Sequence, residues 1–242
     1  MHTLIALLFL LLPSSQPQIP QSRFRGDHFQ VRADKNIPAA TVGEITGALE
    51  FELAKAESSL GISATRRIPV VIYTTELRYR SDSKSLAFDD ADMKGGTIHL
   101  SYPALKRDRA AWAASFARVV TKALIGEVLF CPPWLQEAYA LHAGAATTRF
   151  GDPARVASGG FGDLFEEYSR AERPKDVREA FAKLAFTIEF LVERFGEERV
   201  RSLFPRFRSG RDIESIFAET FGEQMVATEA AWAATLKAAA RR

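Results

Sequence analysis

Cysteine is almost absent from this chain of 242 residues, because Cys131 is the only one. No disulfide can form within the chain, so its stability must come from packing. Glycine-rich motifs with phosphate-binding or dinucleotide-binding spacing are missing as well, and Ser158 lacks the G-x-S-x-G spacing of a serine hydrolase. We interpret Cys131 as a half-buried thiol before Pro132 rather than as a nucleophile.

An excess of charge of either sign is also missing. The chain carries 32 basic and 30 acidic residues, well mixed, for a formal net charge of +2. There is no basic stripe and no acidic tail, which argues against nucleic-acid binding. Hydrophobic residues make up 47% of the chain, which is enough to bury a substantial core in one domain, with or without a helical annex.

A short apolar run near the N-terminus predicts export. Residues 4–12 read LIALLFLLL, which has the length of a signal-peptide core and is too short to span a bilayer unaided. We therefore predict a signal peptide or a short uncleaved anchor over residues 1–16, an extended leader over 17–26, and a periplasmic or secreted protein. Membrane contact is expected only if the apolar segment is retained.

The pattern of residues 27–145 predicts an α/β subdomain, with ordered structure beginning near residue 27. The expected elements are a long amphipathic helix at 39–59 and short strands at 28–31, 68–73 and 97–101. Residues 76–93, which include Asp89, Asp90 and Asp92, are charged and polar. We interpret this segment as a solvated loop rather than a calcium site.

Helical patterns dominate the rest of the chain. One helix is predicted at residues 108–125, and another begins at Pro132-Pro133, since proline fits a first helical turn. Residues 146–175 predict a loop or a mobile flap, and residues 176–242 predict a helical C-terminal subdomain. The expected fold class is α+β, with a small mixed β-sheet followed by helices.

The most informative segment is residues 116–140, which read FARVVTKALIGEVLFCPPWLQEAYA. Its second half resembles the P-x-W-L-x-E-G-x-A segment of gluzincin-type zinc peptidases, whose glutamate completes a metal site begun by HExxH on the preceding helix. The matching residues are Pro132, Pro133, Trp134, Leu135, Glu137 and Ala140. The five HExxH positions then fall on Arg118, Val119, Val120, Thr121 and Lys122. The resemblance implies a zincin-like pair of helices in which both histidines and the catalytic glutamate are replaced.

The C-terminal third carries further marks of the same family. In the family, the C-terminal helices often end at a glycine, and the last helix contains a tryptophan. This chain resembles that pattern at Phe195-Gly196, Gly210, Phe221-Gly222 and Trp232. Where related active enzymes use a tyrosine to support the oxyanion, the best local match is Phe181, which has no hydroxyl. The resemblance covers roughly residues 27–240.

These replacements do not suit zinc chemistry. A catalytic zinc usually takes three protein ligands with lone pairs, and the guanidinium of Arg118 has none to offer. Lys122 could bind a metal only as the neutral amine, which costs roughly 4 to 5 kcal/mol near neutral pH. Val119, at the position of the general base, cannot transfer a proton. We therefore expect no zinc and no hydrolysis by the family mechanism.

The two cations need compensation of their own. Arg118 and Lys122 are four residues apart on one face of the predicted helix, where like charges repel. We hypothesise that one or both pair with Glu137 and substitute electrostatically for the metal, joining the two helices. In the alternative, both basic side chains turn to water and Glu137 is a first-turn carboxylate favoured by the helix dipole.

Three interpretations of function follow. In the first, the domain is inactive and binds a peptide or protein partner or serves a structural role; His99, Trp134 and Phe181 are then candidates for a retained cleft, and the strand at 97–101 offers an edge for strand addition. In the second, the chain is an active hydrolase, either with a relocated metal site at His99, His142 and Glu137 or with a different chemistry in the same cleft. In the third, it is an assembly subunit whose cleft is filled by its own side chains.

Overall fold

The computed structural model describes residues 21–85, 88, 90–146, 161–171 and 173–239. Three sequence predictions lie outside these residues: the apolar run at 4–12, the role of Asp89, and the glycine-rich part of the flap at Ser158-Gly159-Gly160. Within the described ranges, no helix combines the length and the apolar character needed to cross a bilayer.

The described strands form one mixed sheet. They are β1 (Gln21–Arg25), β2 (Phe29–Asp34), β3 (Ile68–Tyr73), β4 (Ala91–Lys94) and β5 (Thr97–Ser101). Their order across the sheet is β1-β2-β3-β5-β4; β2, β3 and β5 are parallel, and the outer strands β1 and β4 are antiparallel to their neighbours. β1 lies inside the predicted leader, so ordered structure begins before residue 27.

The β4 edge of the sheet corrects two sequence predictions. Residues 76–93, predicted as a solvated loop, contain a helix, α2 (Glu76–Ser83), and strand β4. β5, predicted to offer a free edge, is paired on both sides, and β4 occupies the edge instead. Gly95 and Gly96, with φ of 55° and 74°, form the turn between them, since a two-residue hairpin turn of this kind requires left-handed residues.

Helices account for most of the remaining described chain. They are α1 (Ala39–Leu60), α3 (Tyr102–Arg107), α4 (Trp112–Gly126), α5 (Pro133–Ala143), α6 (Phe161–Arg170), α7 (Pro174–Phe195), α8 (Glu197–Arg206), α9 (Ile213–Phe221) and α10 (Met225–Ala239), with a 3-10 turn at Phe207–Ser209. α1 ends at Gly61 as the sequence predicts. α6 lies within the segment predicted as a loop or flap, and the helix predicted at 108–125 begins at Trp112, after the short α3.

The packing of α4 against α5 positions the candidate site. Pro133 occupies the first turn of α5, where its missing N–H has no helical partner to lose. Past the other end of α5, a Cβ added to Gly144 would lie 2.7 Å from the carbonyl oxygen of Ala114 and 2.7 Å from the Cβ of Arg118. Glycine alone permits this approach, so the C-terminal end of α5 is held close to α4 at Arg118.

One hydrophobic core joins the sheet to the C-terminal helices. Val70 and Leu100 from the sheet, Val120 from α4 and Leu191 from α7 belong to the same buried cluster. α4 packs against α1 on one side and α5 on the other, and α5 in turn packs against α7. The predicted α+β fold with a helical C-terminal part is confirmed.

Candidate functional site

Four charged side chains from two helices and an edge strand meet between α4 and α5. Arg118 and Lys122 come from α4, Glu137 from α5, and Asp92 from β4, and we call these four residues the charge cluster. Its two basic and two acidic groups balance in formal charge. The cluster contains three of the predicted site residues, together with one residue that was predicted to lie in a solvated loop.

Lys122 forms the ion pair predicted from the sequence. Its Nζ lies 2.6 Å from Oε2 of Glu137 and 3.8 Å from Oδ1 of Asp92. The side chain of Glu137 is only 3% exposed and that of Lys122 is 17% exposed. The carboxylate on α5 is therefore compensated by an ammonium on α4. The alternative, in which Arg118 and Lys122 turn to water and Glu137 is a first-turn carboxylate, is wrong, because Arg118 is buried and Glu137 is not in the first turn of α5.

Arg118 has different partners from those predicted. It is 1% exposed, its Nη2 donates a hydrogen bond to the carbonyl oxygen of Ala91, and its Nη1 lies 3.7 Å from Oδ1 of Asp92. Arg118 therefore joins α4 to β4, whereas Lys122 joins α4 to α5. A buried guanidinium needs compensation of this kind because its desolvation is costly.

Aromatic rings fill the space beside Arg118. The guanidinium carbon lies 3.3 Å from the centre of the Phe88 ring, a cation–π contact. Phe88 is 2% exposed and meets Phe181 of α7 edge to face, with ring centres 5.4 Å apart. Phe181, a predicted cleft residue, thus packs against the ring that covers Arg118.

Asp92 is the member of the cluster that sequence reasoning missed. Burial by itself raises the pKa of its carboxyl group, but the nearby charges of Lys122 and Arg118 outweigh this effect and hold the pKa below its usual value. Asp92 is therefore ionised at neutral pH. One sequence signal could have placed Asp92 in a strand. Gly95-Gly96, with polar residues before it, indicates a tight hairpin turn, and such a turn requires a strand on each side.

His99 lies beside the cluster but has its own partner. It faces Asp92 across the β4–β5 ladder, and its Nδ1 is 2.7 Å from the hydroxyl oxygen of Tyr73. The two rings also stack, with centres 5.8 Å apart. Burial lowers the pKa of His99 below its ordinary value, so the ring is neutral near pH 7 and acts as a hydrogen-bonded packing residue.

Trp134 and His142 belong to other parts of the fold. Trp134 is 4% exposed and packs against Phe161, with ring centres 5.1 Å apart, so it is a core residue rather than part of a cleft. His142 Nδ1 lies 3.0 Å from Oε1 of Glu189, and its Nε2 lies 3.6 Å from Oε1 of Glu197. Since Glu137 pairs with Lys122, the proposed relocated site at His99, His142 and Glu137 is not assembled.

The residues at the HExxH positions do not fit a zinc site. Val119 and Val120 are fully buried in the hydrophobic core, and Thr121 lines a groove between α1 and α4. In the part of the chain that the structure describes, no three His, Cys, Asp or Glu side chains are placed to hold a metal ion. Burial also raises the pKa of Cys131, which keeps it a thiol, as its interpretation as a non-nucleophilic residue requires.

The outer edge of β4 is capped by side chains. Ser101 donates its N–H to the carbonyl oxygen of Asp90, and because antiparallel pairs alternate, the backbone polar groups of Ala91 and Met93 face away from β5. The N–H of Ala91 is 2.8 Å from Oδ1 of Asp90, and the N–H of Met93 is 2.8 Å from Oδ1 of Asp92. With Arg118 on the Ala91 carbonyl, three of the four outward backbone groups of Ala91 and Met93 already have a side-chain partner.

No protein-family model matches the chain, and no curated protein is significantly similar to it in sequence.

Proposed function

We propose that this chain is an exported, gluzincin-like domain without peptidase activity, in which the charge cluster stands where a catalytic zinc would be bound, and that it serves as a structural module. The observation that carries the proposal is the 2.6 Å contact between Lys122 Nζ and Glu137 Oε2. In the resemblance to gluzincin-type peptidases, both residues stand at positions where the family has metal ligands. An ion pair between them makes the electrostatic connection that a divalent cation would otherwise make.

The surroundings of the cluster support an inactive role. A peptidase needs a base within hydrogen-bonding reach of the water it activates, and the corresponding position holds Val119, which is fully buried. The carboxylates nearby each lie beside a cation: Glu137 beside Lys122, and Asp92 beside both basic residues. None of these groups is placed to act as a general base.

A structural role is favoured over peptide binding by strand addition. Strand addition needs free N–H and carbonyl groups along a sheet edge, and β4 has side chains on three such groups. Phe88 and Phe181 also fill the space beside Arg118. The domain accordingly uses its former catalytic surface to hold β4, α4, α5 and α7 together.

Metal content and hydrolysis test this proposal directly. The purified full chain, incubated with zinc and then dialysed, should retain no stoichiometric zinc and should not cleave denatured casein. One zinc per chain together with chelator-sensitive cleavage would overturn the proposal and favour an active hydrolase.

A designed revertant tests whether the cluster occupies a metal position. Arg118→His, Val119→Glu, Lys122→His, together with native Glu137, should bind zinc, and the same variant with Glu137→Gln should bind it much more weakly. Because the triple variant places a carboxylate in the core, the double variant Arg118→His, Lys122→His serves as a second probe. If either variant has a native circular dichroism spectrum and takes up no zinc, the positional correspondence is wrong.

Export is a separate part of the proposal and has its own measurement. Residues 4–12 are continuously apolar, which supports entry into a secretion pathway. Fractionation of expressing cells should find the protein outside the cytoplasm, and the mature N-terminus, read by mass spectrometry, tells whether the segment is removed. Recovery of the full chain from the cytoplasm would contradict export.

A further inference from the structure

The outer face of the β1–β2 hairpin presents three arginine side chains to solvent. Arg23 and Arg25 alternate on β1, and Arg32 on β2 lies directly opposite Arg23 in the strand register. All three are exposed. The sequence hides this grouping, because the antiparallel pairing brings residues nine positions apart side by side.

We call these three residues the arginine face. Among the described residues, no carboxylate lies within ion-pair distance of Arg23, Arg25 or Arg32, and the neighbouring carboxylate of Asp34 has other partners. Asp34 accepts hydrogen bonds from Arg78 and from the backbone and side chain of Thr74.

The arrangement has an energetic cost in the isolated protein. Side chains directly opposite on antiparallel strands have Cβ atoms about 5 Å apart, and like charges in such a pair are destabilising. Arg23 and Arg32 form such a pair, and Arg25 is the diagonal neighbour of Arg32. An anionic surface laid against the face would convert this repulsion into attraction.

The chain leading into β1 indicates which anionic surface this is. The apolar run at residues 4–12 precedes Gln21, the first residue of β1, by nine residues from its last leucine, a length that spans at most about 30 Å. A short apolar segment alone gives weak attachment to a bilayer, and stable attachment needs a second signal such as a basic patch. β1, which carries Arg23 and Arg25, therefore follows that run closely along the chain.

We propose that, in the chain that retains residues 4–12, the arginine face binds the anionic headgroups of a phospholipid membrane. Each basic side chain near an anionic bilayer strengthens binding severalfold, and the effect decays within a Debye length of the surface. The contribution of the face is therefore selective for anionic lipid and sensitive to salt. This role is independent of the proposed loss of zinc, because the charge cluster and the arginine face share no residue.

Vesicle flotation with the full chain tests the proposal. Wild-type protein should float with vesicles of phosphatidylcholine containing 30% phosphatidylglycerol and bind pure phosphatidylcholine vesicles much more weakly. The variant Arg23→Gln, Arg25→Gln, Arg32→Gln should lose affinity for the anionic vesicles on the order of 100-fold. High salt should remove most of the difference between the two proteins.

A matched variant separates this site from net charge. Arg173→Gln, Arg206→Gln, Arg211→Gln removes the same number of charges from the C-terminal helical part, where each arginine lies within 4 Å of a carboxylate. This variant should bind anionic vesicles nearly as wild type does. Equal losses in the two variants would overturn the proposal. So would equal binding of wild type to neutral and anionic vesicles, or tighter arginine-dependent binding to duplex DNA than to vesicles, provided that all proteins melt at similar temperatures.

Discussion

Two pairs of basic side chains in this protein meet opposite requirements. Arg118 and Lys122, one helical turn apart on α4, are largely removed from water and are matched by Asp92 and Glu137. Arg23 and Arg32, opposite each other on β1 and β2, are exposed and unmatched within the described chain. The difference shows that burial, rather than proximity, forces a charge to find a partner, because water screens the exposed pair and leaves the buried pair unsolvated.

Removing Glu137, the buried carboxylate partner of Lys122, should have the largest effect. Glu137→Ala leaves Lys122 with Asp92 at 3.8 Å as its acidic neighbour and is expected to lower the free energy of unfolding by about 3 kcal/mol. Urea denaturation monitored by tryptophan fluorescence measures this loss.

The double variant Lys122→Met, Glu137→Leu is the matched control for that experiment. It removes both charges and keeps apolar volume, so it should lose much less stability than Glu137→Ala. If the two variants are equally unstable, the contribution of this pair comes from packing and not from charge compensation.

The next effect concerns Asp92 and depends on pH. Asp92→Asn is expected to cost about 2 kcal/mol near pH 7, in the range of hydrogen bonds to charged groups. Because the folded protein holds the pKa of Asp92 below its usual value, the stabilisation is present above an unfolded pKa of about 4 and is lost as the pH falls through the lower folded value. Urea midpoints of wild type and variant should therefore converge in acid.

Asp27→Asn serves as the comparison for Asp92, because Asp27 is exposed in the turn between β1 and β2. Its unfolding curve should stay close to that of wild type from neutral pH into acid. A constant gap between wild type and Asp92→Asn at every pH would show that the carboxylate charge is not what stabilises the edge strand.

Two histidines should show smaller effects of opposite sign. Burial lowers the pKa of His99, so the unfolded chain binds the proton more readily and stability rises with pH up to about 6.5. The hydrogen bond to Glu50 raises the pKa of His28, so its stabilisation is present below that value and is lost as the pH rises through the folded pKa.

Urea midpoints between about pH 5 and pH 8 measure this opposition. The urea midpoint of His99→Gln, relative to that of wild type, should be higher at low pH than at high pH. The relative midpoint of His28→Gln should be higher at high pH than at low pH. Two variants whose profiles tilt in the same direction would contradict the assignment of a buried and an exposed environment to these residues.

The smallest expected effect is on the arginine face. Arg32→Thr relieves the repulsion with Arg23 and should raise the free energy of unfolding by about 0.5 kcal/mol at low salt. Gln30→Thr makes a similar change on the same exposed face of β2 and controls for strand propensity. The gain from Arg32→Thr over this control should disappear at high salt, where exposed charges are screened.

Local patterns made the helix pair and most of the sheet predictable. β-branched residues at 68–73 and 97–101 indicate the central strands, and the four-residue spacing of Arg118 and Lys122 identifies two cations that need a partner. The pairing of Lys122 with Glu137 followed from the resemblance of both helices to one motif. Each of these signals lies within one short segment of the sequence, residues 68–73, 97–101 or 116–140.

The parts that escaped prediction depend on contacts between distant residues. Helix α2 is mostly polar and buries only Tyr79 and Ser83, so it lacks the apolar periodicity of an amphipathic helix. The local sequence around Asp92 indicates a loop. Its burial could not be predicted, because it depends on the pairing of β4 with β5 and on the guanidinium of Arg118 from α4. The arginine face likewise exists only once β1 pairs with β2.

The shared core has a consequence for how the molecule comes apart. Phe88 precedes the edge strand, covers Arg118 on α4 and touches Phe181 on α7, and residues from the sheet, α4 and α7 lie in one buried cluster. Unfolding of either the sheet or the C-terminal helices would expose apolar surface that the other part covers. We therefore expect the two parts to unfold together. Heating should therefore produce one sharp, cooperative melting transition rather than stepwise loss of strands and helices.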